Sequence, residues 1–254
     1  MQPSPTSTIL TREGDNTIVC SDPATGEMLG AVAVTTPDEV RAAVARARGA
    51  QRDWRKTSFA QRRRVLARVL DRLLDEDERL IDLVVRDCGK TRENALMGEI
   101  WPVCEKLRWT IAQGEKHLRS ESVSPGMLLH KRARLEFRPL GVVGAIVPWN
   151  YPLQNIMNPA IPALMAGNGY VAKPSEWVAW SSAAIVDLLR DALRDEGHDP
   201  ELVQLVNGYG QTGQALIQAG IDNLVFIGSV KNGKRVLAAA AQALIPVVLE
   251  LGGK

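Results

Sequence analysis

Apolar residues recur along this chain in two rhythms. From residue 36 to about 118 they fall at helical spacing. Thr36-Pro37-Asp38-Glu39 supplies a cap, a proline at the first helical position and an acid three residues after the cap. A second helix begins at Ser58, where Gln61 completes a similar box, and carries Val65, Leu66, Val69, Leu70 and Leu73 at helical spacing. Gly89 closes the helical stretch that follows, and a third helix is expected over 91–118, kinked or restarted by Pro102.

From residue 133 the rhythm changes. Short apolar runs at Ala133–Leu140, Val142–Val147, Tyr170–Ala172, Leu202–Val206, Leu224–Ile227 and Val247–Leu249 predict strands. Helices are expected between most of them, at about 153–166, 180–195, 212–219 and 230–243. Strands alternating with helices of this length predict βαβ units. The fold class is therefore α/β: a Rossmann-like, mostly parallel sheet with flanking helices, preceded by an N-terminal helical segment. Ligands gather at the carboxyl ends of strands in such sheets, which directs attention to the residues just after each run.

Composition narrows the function classes. A hydrophobic share of 45% with 24% charged residues is that of an ordinary globular enzyme. Lys+Arg 31 against Asp+Glu 29 leaves a formal charge of +2, which argues against nucleic acid or an anionic membrane as partner. Arg62-Arg63-Arg64 lies in an amphipathic helix pattern and is expected on a solvated face. No apolar run reaches the roughly 18 residues of a membrane span, and Met1–Leu10 lacks the pattern of a secretory signal. Cys20, Cys88 and Cys104 are odd in number and lack ligand spacing, which suits a reducing, cytoplasmic setting. His117, His130 and His198 are scattered, and no metal site is expected.

Five signals at strand ends carry candidate chemistry, each with a plainer alternative. Gly208-Tyr209-Gly210-Gln211-Thr212-Gly213 matches the dinucleotide fingerprint between a strand and a helix, but the acid expected about 20 residues further on is missing. A tight strand-to-helix turn explains the same glycines. In Lys173-Pro174-Ser175-Glu176 an ammonium and a carboxylate three residues apart can grip ribose hydroxyls; a solvated loop pair is the alternative. Gly228-Ser229 followed by Gly233 places free amides for a phosphate at a helix start, or is an ordinary serine cap. Asn150, held between Pro148 and Pro152, can donate to an oxyanion or close an Asx turn. Glu250 ends the last strand and would serve as a general base if partly desolvated, or lie at the surface.

In this order the signals resemble the aldehyde dehydrogenase superfamily. Pro139 to Gly144 leads into Trp149-Asn150-Tyr151-Pro152. Ala166-Gly167-Asn168, Lys173-Pro174-Ser175-Glu176, Gly228-Ser229 with Gly233, and Glu250-Leu251-Gly252-Gly253-Lys254 continue in register. Upstream, Ser21-Asp22-Pro23-Ala24-Thr25-Gly26-Glu27 resembles the family's "NPATGE" opening, and Cys88-Gly89-Lys90 stands where "TGKP" is usual. Ile227 departs from the usual threonine, Val230-Lys231-Asn232 from a less basic stretch, and Trp180 stands near a frequent proline.

The resemblance implies Asn150 as oxyanion donor and Glu250 as the base that activates water. It implies Lys173 and Glu176 at the adenosine ribose, with Ser175 beside them, and Gly228, Ser229 and Gly233 by the pyrophosphate. Gly208 and Gly210 would line the adenine side, and Trp149, Leu251 and Gly252 would complete the cofactor set. The cofactor would be NAD, favoured by Glu176 against a 2′-phosphate, with NADP possible. The reaction would oxidise a small-molecule aldehyde to a carboxylic acid through a cysteine thioester, in a homo-oligomer (dimer or tetramer) when full length. The family's nucleophilic cysteine follows the Glu250 motif, and the three cysteines here stand elsewhere, so the expectation is an N-terminal half without its nucleophile. A short, non-catalytic dinucleotide-binding protein or subunit is the alternative. The corresponding division is a helical part over 1–122, a β segment over 123–140 running toward the oligomerisation region, and a cofactor core over 141–254.

Overall fold

The computed structural model describes residues 16–252, so Gly253 and Lys254 of the terminal motif lie outside the described residues. The chain opens with an antiparallel hairpin of β1 (Thr17–Ser21) and β2 (Met28–Ala33) that the apolar rhythm had not predicted. Its turn is set locally: Asp22 Oδ1 accepts from the amides of Ala24 at 2.8 Å and Thr25 at 3.2 Å, and Gly26 takes the left-handed φ of 76°.

The helical block follows the sequence closely. Helix α1 (Pro37–Trp54) starts at the Thr36/Glu39 capping box and α2 (Phe59–Asp75) at the Ser58/Gln61 box. Helix α3 (Asp77–Cys88) ends on Gly89 in the left-handed conformation. The stretch expected as one helix is helical throughout, as α4 (Arg92–Ala95), a π turn over Leu96–Ile100 and α5 (Trp101–Leu118) in direct succession. Pro102 follows the π turn at the start of α5 and has no N–H to offer it, so the wider turn stands where the backbone ladder loses a donor.

Two short strands, β3 (Glu121–Val123) and β4 (Ala133–Leu135), form a second antiparallel pair. The predicted strand over 133–140 is thus only three residues long, because beyond Leu135 the segment has no strand partner. The main sheet has five parallel strands: β5 (Val142–Val147), β6 (Gly169–Pro174), β7 (Val203–Leu205), β8 (Asn223–Ser229) and β9 (Val247–Gly252). Their order is β7-β6-β5-β8-β9, so the chain reverses direction across the sheet between β5 and β8. Helices α6 (Pro152–Met165), α7 (Ala179–Asp195), α8 (Gly210–Gln218) and α9 (Val230–Ala243) make the connections, within a residue or two of their predicted bounds.

The helical block shares the sheet's core. Leu66, Leu73 and Leu107 pack in one cluster with Ile156, Leu164, Ala145 and Tyr170, while Val40, Val44 and Ala47 of α1 join Val142, Val171 and Leu216 on the opposite face. Polar contacts lock the same seam at the end of α6, where helix carbonyls need outside donors. Trp54 Nε1 donates to Leu164 O at 3.0 Å, Gln51 Nε2 to Gly167 O at 3.0 Å, and Arg62 Nη1 to Met165 O at 3.2 Å. Arg62 is therefore buried, which corrects the expectation of a solvated arginine face. Its guanidinium lies behind Gly167, where a Cβ would come within 2.8 Å of it.

Candidate functional site

The reversal between β5 and β8 opens a crevice at the carboxyl edge of the sheet, the place where open α/β sheets bind ligands. In the ladder Ile146 lies opposite Lys173 on one side and Phe226 on the other, so the ends of β5, β6 and β8 stand level. A cleft of about 550 Å³ opens there, with Ile146, Lys173, Glu176, Gly210, Phe226 and Arg235 among its lining residues. That volume is within the usual range for small-molecule sites, roughly 300–1,000 Å³.

Lys173 is only 5% exposed although it bears a charge. It occupies a fully buried strand, and its Nζ stands 4.0 Å from Glu176 Oε2, which is partly exposed at the cleft. Between them Ser175 caps a short 3₁₀ turn over Glu176–Val178, its Oγ accepting from the Trp177 amide and donating to Glu176 Oε2 at 3.3 Å. A lysine held this way is a directed cation, unlike the solvated loop pair that the bare sequence allows.

The glycines of the literal fingerprint divide. Gly208 has φ 154°, and a Cβ there would fall 2.0 Å from Thr212 Oγ1, so the tight turn alone demands it. Gly210 and Gly213 line the cleft, and a Cβ on Gly213 would touch Ile146 Cδ1 at 3.4 Å. A Cβ on Gly228 would come within 2.8 Å of the Phe226 ring, and Gly233 leaves room for Leu251, whose Cδ2 a Cβ would approach to 2.6 Å. Ser229 caps α9, accepting from the Asn232 amide at 3.3 Å.

A second hollow, of about 420 Å³, lies at the end of β5 and is lined by Trp149, Asn150 and Tyr151 with Cys88, Lys90 and Asn94. Asn150 Oδ1 accepts from Asn155 Nδ2 at 3.2 Å, which leaves the Asn150 amide NH₂ as the end that can face a ligand. Cys88, which the sequence placed away from any site, stands beside it and donates to the Trp149 main-chain oxygen at 3.3 Å. Burial, with Glu99 nearby, pushes its thiol up to about 12, and burial pushes Cys20 up to about 11. Both stay protonated at neutral pH, and neither is a ready nucleophile.

Glu250 is exposed on β9, the surface position that its sequence context allowed and not the partly desolvated one, opposite Ile227, and Leu251 and Gly252 pair with Gly228 and Ser229 on the same strand end. The structure thus gathers Lys173, Glu176 and Gly210 in the cleft and Trp149 with Asn150 in the hollow. Ser175, Gly208, Gly228, Ser229, Gly233, Glu250, Leu251 and Gly252 line neither space. Sequence reading missed Arg235 and Tyr209 in the cleft, and Lys90, paired with the buried Glu99, in the hollow. The one available signal was Glu99, a charge in a helical stretch where its neighbours Ile100 and Val103 are core residues.

The model of the aldehyde dehydrogenase family matches residues 10–254. An aldehyde dehydrogenase-like protein of Schizosaccharomyces pombe is 39% identical over 242 residues, covering 94% of this chain and 46% of that protein. A crystal structure of PnpE in complex with nicotinamide adenine dinucleotide superposes with a TM-score of 0.86 at 31% identity, covering 94% of this chain and 48% of that one. An NADP-dependent glyceraldehyde-3-phosphate dehydrogenase from Bacillus halodurans, complexed with NADP, gives 0.85 at 32% identity, covering 95% and 50%. The chain spans about half the length of the relatives it matches. With its parallel sheet and nearly all of its length aligned on these proteins, the chain belongs to the aldehyde dehydrogenase family.

Proposed function

We propose that this chain supplies the dinucleotide site and the oxyanion donor for NAD-dependent oxidation of an aldehyde to a carboxylic acid. The observation that carries the reading is Lys173, buried in its strand yet opening on the cleft beside Glu176. An ammonium donor and a carboxylate acceptor facing one space suit the two hydroxyls of a ribose. The cleft is also large enough for the adenosine end of a dinucleotide, and structural neighbours were solved with NAD and with NADP. When bound, the nicotinamide accepts the hydride that leaves the substrate carbon. In this reading Asn150 Nδ2 donates to the developing oxyanion, and Glu250 takes a proton from the water that releases the acid. Trp149, Ser175, Gly208, Gly210, Gly228, Ser229, Gly233, Leu251 and Gly252 are assigned to the cofactor's surroundings. The attacking thiolate is none of Cys20, Cys88 or Cys104, so the 254-residue chain by itself binds dinucleotide without turning over aldehyde.

Glu176 disfavours a 2′-phosphate by like charge, so NAD is the preferred cofactor. Calorimetric titration of the chain tests this: NAD binds at least about tenfold more tightly than NADP, and Glu176→Gln narrows the gap. Failure of Lys173→Ala to weaken either dinucleotide would sink the ribose assignment, and robust aldehyde oxidation by the chain alone would sink the half-enzyme reading. The free cysteines fit a cytoplasmic setting. The exposed Leu135, Phe137 and Leu140 fit a homo-oligomer contact, which sedimentation of the full-length enzyme would check.

A further inference from the structure

The most enclosed ion pair among the described residues lies under the loop that carries Asn150, outside the cofactor cleft. Lys90 follows the glycine that ends α3, and Glu99 sits in the π turn; their side chains are 10% and 1% exposed. Lys90 Nζ donates to Glu99 Oε1 at 2.5 Å and to the Asn150 main-chain oxygen at 2.8 Å, and it stands 4.0 Å from the centroid of the Tyr151 ring. Glu99 turns its other oxygen to the start of α6, where it accepts from the amides of Leu153 at 2.7 Å and Gln154 at 3.3 Å. Those amides need an outside acceptor, because Tyr151 offers no side-chain cap and Pro152 has no N–H. A carboxylate there also suits the positive end of the helix dipole. Gly98 completes the arrangement: a Cβ would fall 2.6 Å from Tyr151 Cε1, so only a bare π turn lets the ring close down.

Apart from the bond within the pair, these contacts end on residues 150–154. A buried lysine–glutamate pair is a weak stabiliser, since an apolar pair of similar size often does as well. What such a pair can do is hold one geometry. We infer that Lys90 and Glu99 are positioning residues for Asn150: the pair clamps Asn150–Gln154 between the π turn and α6, so that the Asn150 amide keeps a single orientation in its hollow. The inference rests on the reading of Asn150 as oxyanion donor.

The test compares the 254-residue chain with three variants of it. Lys90→Met/Glu99→Leu replaces the pair by apolar side chains, Lys90→Arg keeps the charge, and Glu99→Gln keeps an acceptor for α6 without the charge. Amide exchange over residues 149–155 is expected to rise at least about tenfold in the double variant while β5 and β6 stay protected, and to remain near wild type in Lys90→Arg. If the double variant loosens everywhere, Glu99→Gln is read instead, with the same local rise expected. Unchanged exchange at 149–155 overturns the inference. In the full-length enzyme, the clamp variants lower kcat with the dinucleotide KM unchanged, and a fall in dinucleotide affinity instead would also overturn it. Asn150→Ala separates the two claims. Full kcat in that variant, with exchange still accelerated in the clamp variants, removes the oxyanion assignment and leaves the clamp in place.

Discussion

The two wings of the parallel sheet are built by the same strand–helix–strand rule and end in different surroundings. On the β5-β6-β7 wing every residue of β6, and all but one of β5, is buried, with α6 and α7 on one face and α1 and α8 on the other. On the other wing β8 alternates between half-buried and buried residues from Asn223 to Ile227 and ends on the exposed Ser229, and no residue of β9 is fully buried. Both wings read as apolar runs in sequence. A run such as Val247-Val248-Leu249 thus reports what a strand is able to bury, and the layers above and below decide how much it does bury.

Substitutions on the two wings test that contrast. The largest effect is expected from Leu164→Ala in α6, fully buried under the β5-β6 wing, which should lower stability by about 2–5 kcal/mol in a denaturant titration. Next comes Gly208→Ala. Its left-handed φ and the Thr212 hydroxyl 2.0 Å from the new Cβ predict a loss of about 1–3 kcal/mol, centred on the turn between β7 and α8. The smallest is Val248→Ala on β9, where a side chain already 47% exposed predicts a change of about 1 kcal/mol or less. Equal costs for Leu164→Ala and Val248→Ala would mean that the two wings are equally enclosed in solution, and the contrast would fall.

The helices and strands were legible because their signals are local. Thr36 with Glu39 and Ser58 with Gln61 close their boxes within three residues, and both appear as hydrogen-bonded caps. The βαβ alternation placed the five strands because each run is bounded by turn residues. The β1-β2 hairpin was not legible, since its turn rests on Asp22 accepting from its neighbours' amides in a segment without a strong apolar period. In the cleft, Lys173 with Glu176 stood out by spacing, whereas Arg235 joins them only because α9 folds back over β8.

The element order, the α/β class and the row of candidate residues at the strand ends follow from local signals, because caps, turns and apolar periods act over a few neighbouring residues. Which charges are buried depends on how the elements pack. Arg62 reads as one of three surface arginines, yet it faces inward because the end of α6 presents carbonyls that need a donor. Lys90 and Glu99 are nine residues apart, separated by α4 and part of the π turn, and nothing in their immediate neighbours requires them to meet. They meet because the first turn of α6, arriving some fifty residues later, has two amides without partners and a carboxylate within reach.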